Sequence, residues 1–205
     1  MLRMIQLHHH PASTFARRVR IVLLEKGIEH ELIEVDLPHG AQRSAAYLAL
    51  NPYGRVPTLV EDDFVLYESN AILSYLEMRY PRPALAPEEV RERALMDMHM
   101  RLCDLQLGRH AGAILFPKRF LPPQKWDLQA IATARGEIQK HLQILARSLT
   151  RTEYLVGDRF TLADVAYLPF VYFLPLMEIE PEPELAEWAA RILARPSARQ
   201  TEPER

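Results

Sequence analysis

Proline sets the tightest limit on what this chain can fold into. Its 205 residues hold 16 prolines against 7 glycines, and Pro81, Pro83 and Pro87 crowd one short segment. A proline ring removes a main-chain donor, clashes with the preceding helical turn and pushes the residue before it toward extended backbone. Residues 80–88 therefore cannot form continuous helix. The patterning differs in kind on the two sides of this break. Short alternating segments mix with helical ones before it, and helical spacing dominates after it. The expected organisation is a first domain over 1–80, a linker over 81–87 and a second domain over 88–205.

In the first domain, residues 4–8 read as a strand and 14–26 as a helix, with Phe15, Val19, Val22 and Leu23 on one face and Gly27 as its stop. Over 31–37, Ile33, Val35 and Leu37 alternate with Glu34 and Asp36, the period of a half-buried strand. Residues 44–50 fit one or two helical turns. Strands over 56–60 and 64–67 flank the acidic turn Glu61-Asp62-Asp63, and a helix over 69–79 turns Ile72, Leu73 and Leu76 inward. A right-handed crossover makes the first two strands parallel, and the last two form a hairpin.

The second domain reads as helices. Residues 88–110 repeat Val90, Ala94, Met98, Leu102 and Leu105 at helical spacing, and 127–149 repeat Ile131, Ala134, Ile138, Leu142, Leu145 and Leu149. Residues 162–174 are apolar nearly all round, as a central buried helix must be. Thr161 and Asp164 stand before that run at capping-box spacing, with Phe160 as the staple. A last helix over 183–195 ends at Pro196, leaving a polar tail that is expected to be loose. Pro117, Pro122 and Pro123 mark an irregular passage between the first two of these helices.

Composition narrows the function. The chain is 48% hydrophobic and 25% charged, enough apolar matter for a core, and its formal charge is −2 with no long basic run. Nucleic acid is thereby excluded as the main partner. One cysteine excludes an internal disulfide framework and any multi-cysteine zinc site, and fits a reducing cytosol. Arg3, Gln6 and His8-His9-His10 interrupt the N-terminal stretch where a secretory leader would be apolar. No apolar run approaches the ~20 residues that span a bilayer. A cytoplasmic protein without membrane association is expected.

Three separated stretches carry the chemistry. His10-Pro11-Ala12-Ser13 followed by Arg17-Arg18-Val19 closes the first strand and opens the first helix. Asn51-Pro52-Tyr53-Gly54-Arg55-Val56-Pro57 leads into the third strand, and Glu68-Ser69-Asn70-Ala71-Ile72 opens the helix after the hairpin. With Phe160-Thr161-Leu162-Ala163-Asp164 in a helical second part, they resemble the glutathione transferases, in particular bacterial members close to the serine-type classes, phi and theta among them. The resemblance is close over residues 4–80 and mainly architectural beyond. It implies an α/β thioredoxin-like first domain that holds glutathione, and an all-α helical-bundle second domain that helps shape a pocket for a hydrophobic electrophile. Glutathione is then a co-substrate, with no prosthetic group and no metal.

Ser13 sits between strand and helix, where serine is a common N-cap and the helix presents its positive end. By resemblance its hydroxyl donates to the sulfur of glutathione, with Thr14 as the neighbouring alternative donor. The thiolate is the nucleophile, and a free thiol titrates near ~8.5. Lowering that by ~2 units needs ~2.7 kcal/mol of preference for the anion. A hydroxyl donor and a helix dipole together are of that order. Glu68 and Ser69 stand at a second helix mouth, whose unpaired N–H groups favour an anion. The resemblance gives Ser69 the γ-glutamyl carboxylate and Glu68 its amino group. It makes Pro57 a cis-proline, which turns the Val56 backbone outward to pair with the cysteinyl unit. Arg55 replaces the glutamine often found there and adds a charge, which either contacts a carboxylate, the favoured reading, or is merely solvated. Gln42 and Arg43 match positions that contact the glycyl carboxylate in the phi class, although a solvated loop fits them nearly as well.

Other features carry less. Arg17, Arg18 and Arg20 point in different directions on a helix and read mostly as structural or exposed. Neighbouring histidines in a strand alternate faces, so His8-His9-His10 is a poor metal site. Cys103 lies inside a helix and reads as packed. The expected activity joins the glutathione thiolate to a hydrophobic electrophile, with Ile114, Phe116 and Phe120 near its pocket. Isomerase and dehalogenase chemistry use the same scaffold. A thiol reductase needs cysteine where this chain has Ala12, Ser13 and Thr14, and a non-catalytic glutathione-binding protein is the remaining reading. The family usually forms homodimers, for which Tyr53 matches an aromatic that inserts into the partner in some classes, although packing within its own chain fits it equally.

Overall fold

A computed structural model describes residues 4–203; residues 1–3, Arg3 among them, and 204–205 lie outside the described range. The chain divides into two compact units. The first holds the described residues up to Leu85 together with those from Pro196 onward, and the second runs from Ala86 to Arg195.

In the first unit the order is β1 (Ile5–His9), α1 (Thr14–Glu25), β2 (His30–Glu34), α2 (Ala45–Leu50), β3 (Thr58–Glu61), β4 (Phe64–Tyr67) and α3 (Ser69–Arg79). The sheet runs β2-β1-β3-β4. β1 and β2 are parallel, with Ile5 opposite His30, while β3 runs antiparallel to both β1 and β4. This is the expected thioredoxin-like arrangement. Ile5 and Leu7 from β1, Val19, Val22 and Leu23 from α1, Leu59 from β3, and Ile72, Leu73 and Leu76 from α3 are all fully buried. Each such side chain contributes about 1.5–3 kcal/mol. Gly27, at φ 62°, ends α1: the Ile28 N–H donates to the Leu23 carbonyl at 2.9 Å and the Gly27 N–H to Leu24 at 3.1 Å. The second strand is shorter than its alternation suggested. It stops at Glu34, although the Val35 N–H still donates to the His9 carbonyl at 2.8 Å. Phe15, expected on the buried face, is only half-buried.

The tail is neither loose nor part of the helical domain. Pro196–Gln200 forms α10 in the first unit, and Ser197, Ala198 and Thr201 are buried. The reason lies on α1. Arg17 is buried there, and a buried guanidinium needs acceptors. The Ala198 carbonyl accepts from its Nη2 at 3.0 Å and the Thr201 hydroxyl from its Nε at 3.3 Å. Ser197 adds a hydrogen bond to Glu25. The proline segment is fixed in a similar way. Lys26 Nζ donates to the carbonyls of Tyr80 and Pro83 at 2.8 Å each and pairs with Glu77 at 2.6 Å.

The second unit comprises α4 (Val90–Leu102), α5 (Arg109–Phe120), α6 (Leu128–Ser148), α7 (Leu162–Val171), α8 (Leu174–Met177) and α9 (Pro183–Leu193). All ten residues of α7 are buried, and the apolar stripe of α6 faces inward as its spacing requires. A capping box starts α7. Asp164, fully buried, accepts from the Thr161 N–H at 2.8 Å, the Thr161 hydroxyl at 3.1 Å, the Leu155 N–H at 3.1 Å and the Trp188 indole at 2.9 Å.

On α4 the buried face is not the expected one. Met96, His99 and Met100 point inward, whereas Val90 is 78% exposed, Met98 43% and Leu105 57%. Two apolar stripes compete on this helix, and a π-helical stretch over Cys103–Gly108 shifts the register beyond Leu102. The helical path then continues through Pro117, so the irregular passage begins only at Leu121.

Candidate active site

The site is built where three chain segments end on the first unit's sheet. After β1, the Ser13 N–H donates to the His10 carbonyl at 2.9 Å and the Ala12 N–H to His10 Nδ1 at 3.1 Å, closing a tight turn. Ser13 is the N-cap of α1, in extended backbone, and its Oγ accepts from the Ala16 N–H at 3.1 Å. The capping reading of Ser13 is therefore right as far as it goes. A hydroxyl has one proton and two lone pairs. With the oxygen engaged by the cap, the O–H remains a donor at the positive end of the helix. Thr14 is the first residue of α1 and, like Ser13, half-buried.

The second segment is a loop held by side chains. Asn51, buried, donates from Nδ2 to the Arg55 carbonyl at 2.9 Å and to Thr58 Oγ1 at 3.1 Å, and its Oδ1 accepts from the Tyr53 N–H at 3.0 Å. The Tyr47 hydroxyl donates to the same Arg55 carbonyl at 2.7 Å, and burial pushes its pKa up, so it stays a neutral donor. Gly54 has φ 59°, and a Cβ there would stand 3.0 Å from the Gln42 carbonyl oxygen, so only glycine fits the turn. Beyond it the Val56–Pro57 peptide is cis.

The third segment opens α3. Glu68 holds φ 71°, a left-handed value that costs a non-glycine residue about 1–3 kcal/mol and persists only where the surroundings impose it. Its side chain makes no cap hydrogen bond and is exposed. Ser69 follows as the first helical residue, buried, and its Oγ accepts from Arg18 Nη1 at 3.1 Å.

These segments enclose a cleft of about 90 Å³ lined by Phe15, Asn51, Arg55, Val56, Pro57, Glu68 and Ser69. The residues expected to bind the γ-glutamyl and cysteinyl parts thus come together. Ser13 and Thr14 stand beside the cleft, just ahead of Phe15, and not on its lining. Gln42 and Arg43 lie in a short 3-10 helix, Ala41–Arg43, also off the lining; Arg43 is exposed, and Gln42 Oε1 is buried with no hydrogen-bond partner. Thr161 and Asp164 belong to the second unit and serve α7. Sequence reasoning missed Phe15, Asn51 and Tyr47 as builders of the site, and Arg18 as the partner of Ser69. The Asn51-Pro52 pair and the repeated arginines were the available signals.

The histidine run separates as strand alternation requires. His9 is buried with Ile5 and Leu7, and His8 packs edge-on against Tyr47 at 6.0 Å. Burial, with the charges of Arg20, His10 and His30, lowers the His9 pKa to about 4. No group of three or more metal-ligating side chains occurs among the described residues. Cys103 is buried in the second unit, its Sγ 3.3 Å from the Ala166 carbonyl.

Comparison with known proteins agrees with this geometry. The family description "Glutathione S-transferase, N-terminal domain" matches residues 12–79, and "Glutathione S-transferase, C-terminal domain" matches 112–196. Glutathione S-transferase APIC of Nicotiana tabacum is 31% identical over 201 residues, 94% of each chain. The chain belongs to the glutathione S-transferase family. A second relative, GstB of Escherichia coli, is 31% identical and covers 96% of each chain. Among solved structures, a theta class glutathione S-transferase from Xanthomonas axonopodis pv. citri, with glutathione bound, aligns with a TM-score of 0.88 or better, namely 0.91, at 32% identity and 99% coverage of each chain.

Proposed function

We propose that this glutathione transferase binds glutathione with its γ-glutamyl end in the cleft at the start of α3, and uses Ser13 to keep the sulfur ionised for attack on a hydrophobic electrophile. The observation that carries the reading is the gathering of Arg55, Val56, Pro57, Glu68 and Ser69 around one cleft that begins next to the N-terminus of α1. In this reading Ser69 and the N–H groups at the start of α3 take the α-carboxylate, Glu68 takes the amino group, and the Val56 backbone pairs with the cysteinyl unit. Ser13 donates its O–H to the sulfur; the thiol proton leaves to solvent. The thiolate then forms a bond to the electrophilic carbon, and either a leaving group departs with its electron pair or an unsaturated carbonyl takes the charge and is protonated.

The serine-type class, phi- or theta-like, is part of the same proposal, supported by Ser13 at the helix start; relatives from Escherichia coli and Xanthomonas support a bacterial kinship. A thiol reductase is disfavoured, because Ala12, Ser13 and Thr14 offer no thiol and Cys103 is buried in the other unit. No helix among the described residues is long and apolar enough to cross a membrane. A cytoplasmic location is part of the proposal, supported by the single cysteine, which fits a reducing compartment. A homodimer is proposed on the exposure of Tyr53, at 68%, and of Val90 and Met98 on α4.

The test is Ser13→Ala with a chlorinated nitrobenzene as electrophile. Loss of one charge-assisted hydrogen bond predicts a fall of about 10–100-fold in kcat, with loss of thiolate absorbance from the complex at pH 7. Unchanged turnover and absorbance would remove Ser13 from this role, and a matching fall in Thr14→Val alone would assign it to Thr14.

A further inference from the structure

Arg18 stands in an unusual position for a cation. It lies on α1 five residues after the cap, fully buried, and reaches across to the first residue of α3. Burying a charge costs several kcal/mol unless it is hydrogen-bonded, so a fold that needed only an α1–α3 contact would be served better by an apolar side chain. What Arg18 touches points elsewhere. Its Nη1 donates to Ser69 Oγ at 3.1 Å, and its Cζ lies 4.9 Å from the centroid of the Phe15 ring. Phe15 and Ser69 both line the cleft, and Arg18 itself does not. The guanidinium therefore sits directly behind two residues of the lining.

That placement fixes the polarity of Ser69. A guanidinium carries donors only, so the serine oxygen must accept from it, and the hydroxyl proton is left to donate. A bound group that accepts is matched by that proton. The hydrogen bond from a charged donor acts in the same sense, because it polarises the serine O–H and strengthens its donation to an anion.

We propose that Arg18 is a positioning residue: through Ser69 it makes the cleft selective for the α-carboxylate of the γ-glutamyl group. This rests on the reading of the cleft given above. The step is one of recognition, and no bond is made or broken.

The experiment uses the full chain and two ligands, glutathione and 4-aminobutyryl-cysteinyl-glycine, which is the same tripeptide without the α-carboxylate. Calorimetry on the unaltered protein comes first. Weaker binding of the analogue supports the reading of the cleft, and equal binding overturns that reading before any variant is made. Arg18→Gln, which keeps a donor and loses the charge, is then expected to raise the Kd for glutathione about 10–100-fold and to leave that for the analogue within about twofold. Arg18→Lys, which keeps a charge on a different head group, falls between the two. With glutathione saturating, kcat stays within about twofold of the unaltered enzyme, because the sulfur is held elsewhere. Equal losses on both ligands mean that Arg18 only supports the fold, and no loss on glutathione means that it does not act through Ser69; either result overturns the proposal. If the Gln variant does not fold, the Lys variant decides by the same ratio, with a loss on glutathione at least about threefold beyond that on the analogue expected.

Discussion

Helix starts in the two units of this molecule use the same kinds of residue for opposite ends. At the start of α7, Thr161 and Asp164 spend their hydrogen-bonding capacity on the protein: main-chain N–H groups, a hydroxyl and the Trp188 indole converge on one fully buried carboxylate. The network continues through aromatic contact of Trp188 with Tyr167, whose hydroxyl lies 2.9 Å from His141 Nε2. At the starts of α1 and α3, Ser13 and Ser69 each accept one hydrogen bond from within and keep an O–H to give. A closed cap and an open one are told apart by where the remaining donors and acceptors go. Residue type does not distinguish them.

The sharpest way to break this comparison is at Asp164. Burial pushes its carboxyl above the usual range while its donors pull it back, and Asp164→Ala leaves those donors facing apolar surroundings. A loss of about 3–5 kcal/mol is expected in urea unfolding. A loss below about 1 kcal/mol would mean that the network is not closed in the sense argued here. His141 gives the next largest effect. Burial, with the nearby His99 charge, lowers its pKa from 6.5 to about 4. A proton therefore favours the unfolded chain, and the stability this group contributes is full above pH 6.5 and lost as pH falls toward 4. Between pH 7.5 and 5 the unaltered protein should lose about 2 kcal/mol more than His141→Gln, measured by urea midpoints. Equal pH slopes would remove His141 from the closed network. The open end predicts the reverse pattern at Arg55, which is exposed on the cleft rim. Arg55→Ala should weaken glutathione binding by about 3–10-fold by calorimetry and change stability by less than about 0.5 kcal/mol.

Much of this was legible in the residues. Alternation and helical spacing place the four strands, and a run such as 162–171, with hardly a polar side, has nowhere to go but the interior. The motif residues of the cleft were legible too, since Gly54, Val56-Pro57 and Glu68-Ser69 each demand an uncommon backbone or a helix mouth. Other features were hidden for definite reasons. Arginine reads as surface, so nothing in the residue order marked Arg17 and Arg18 as buried; their acceptors come from α10 and α3. Val90, Ala94 and Met98 on α4 make as good a stripe as Met96, Met100 and Cys103, and periodicity cannot choose between two apolar faces. Asn51 stands in the residue order only as the head of the stretch that leads into the third strand, and its amide proves to hold the loop that carries Arg55.

The return of α10 to the first unit has a bearing on synthesis. The Ala198 carbonyl and the Thr201 hydroxyl meet Arg17 across separations of 181 and 184 positions. A ribosome must therefore build the entire helical unit before the first unit can be finished. An excised fragment ending at Leu85 would forfeit both acceptors of Arg17.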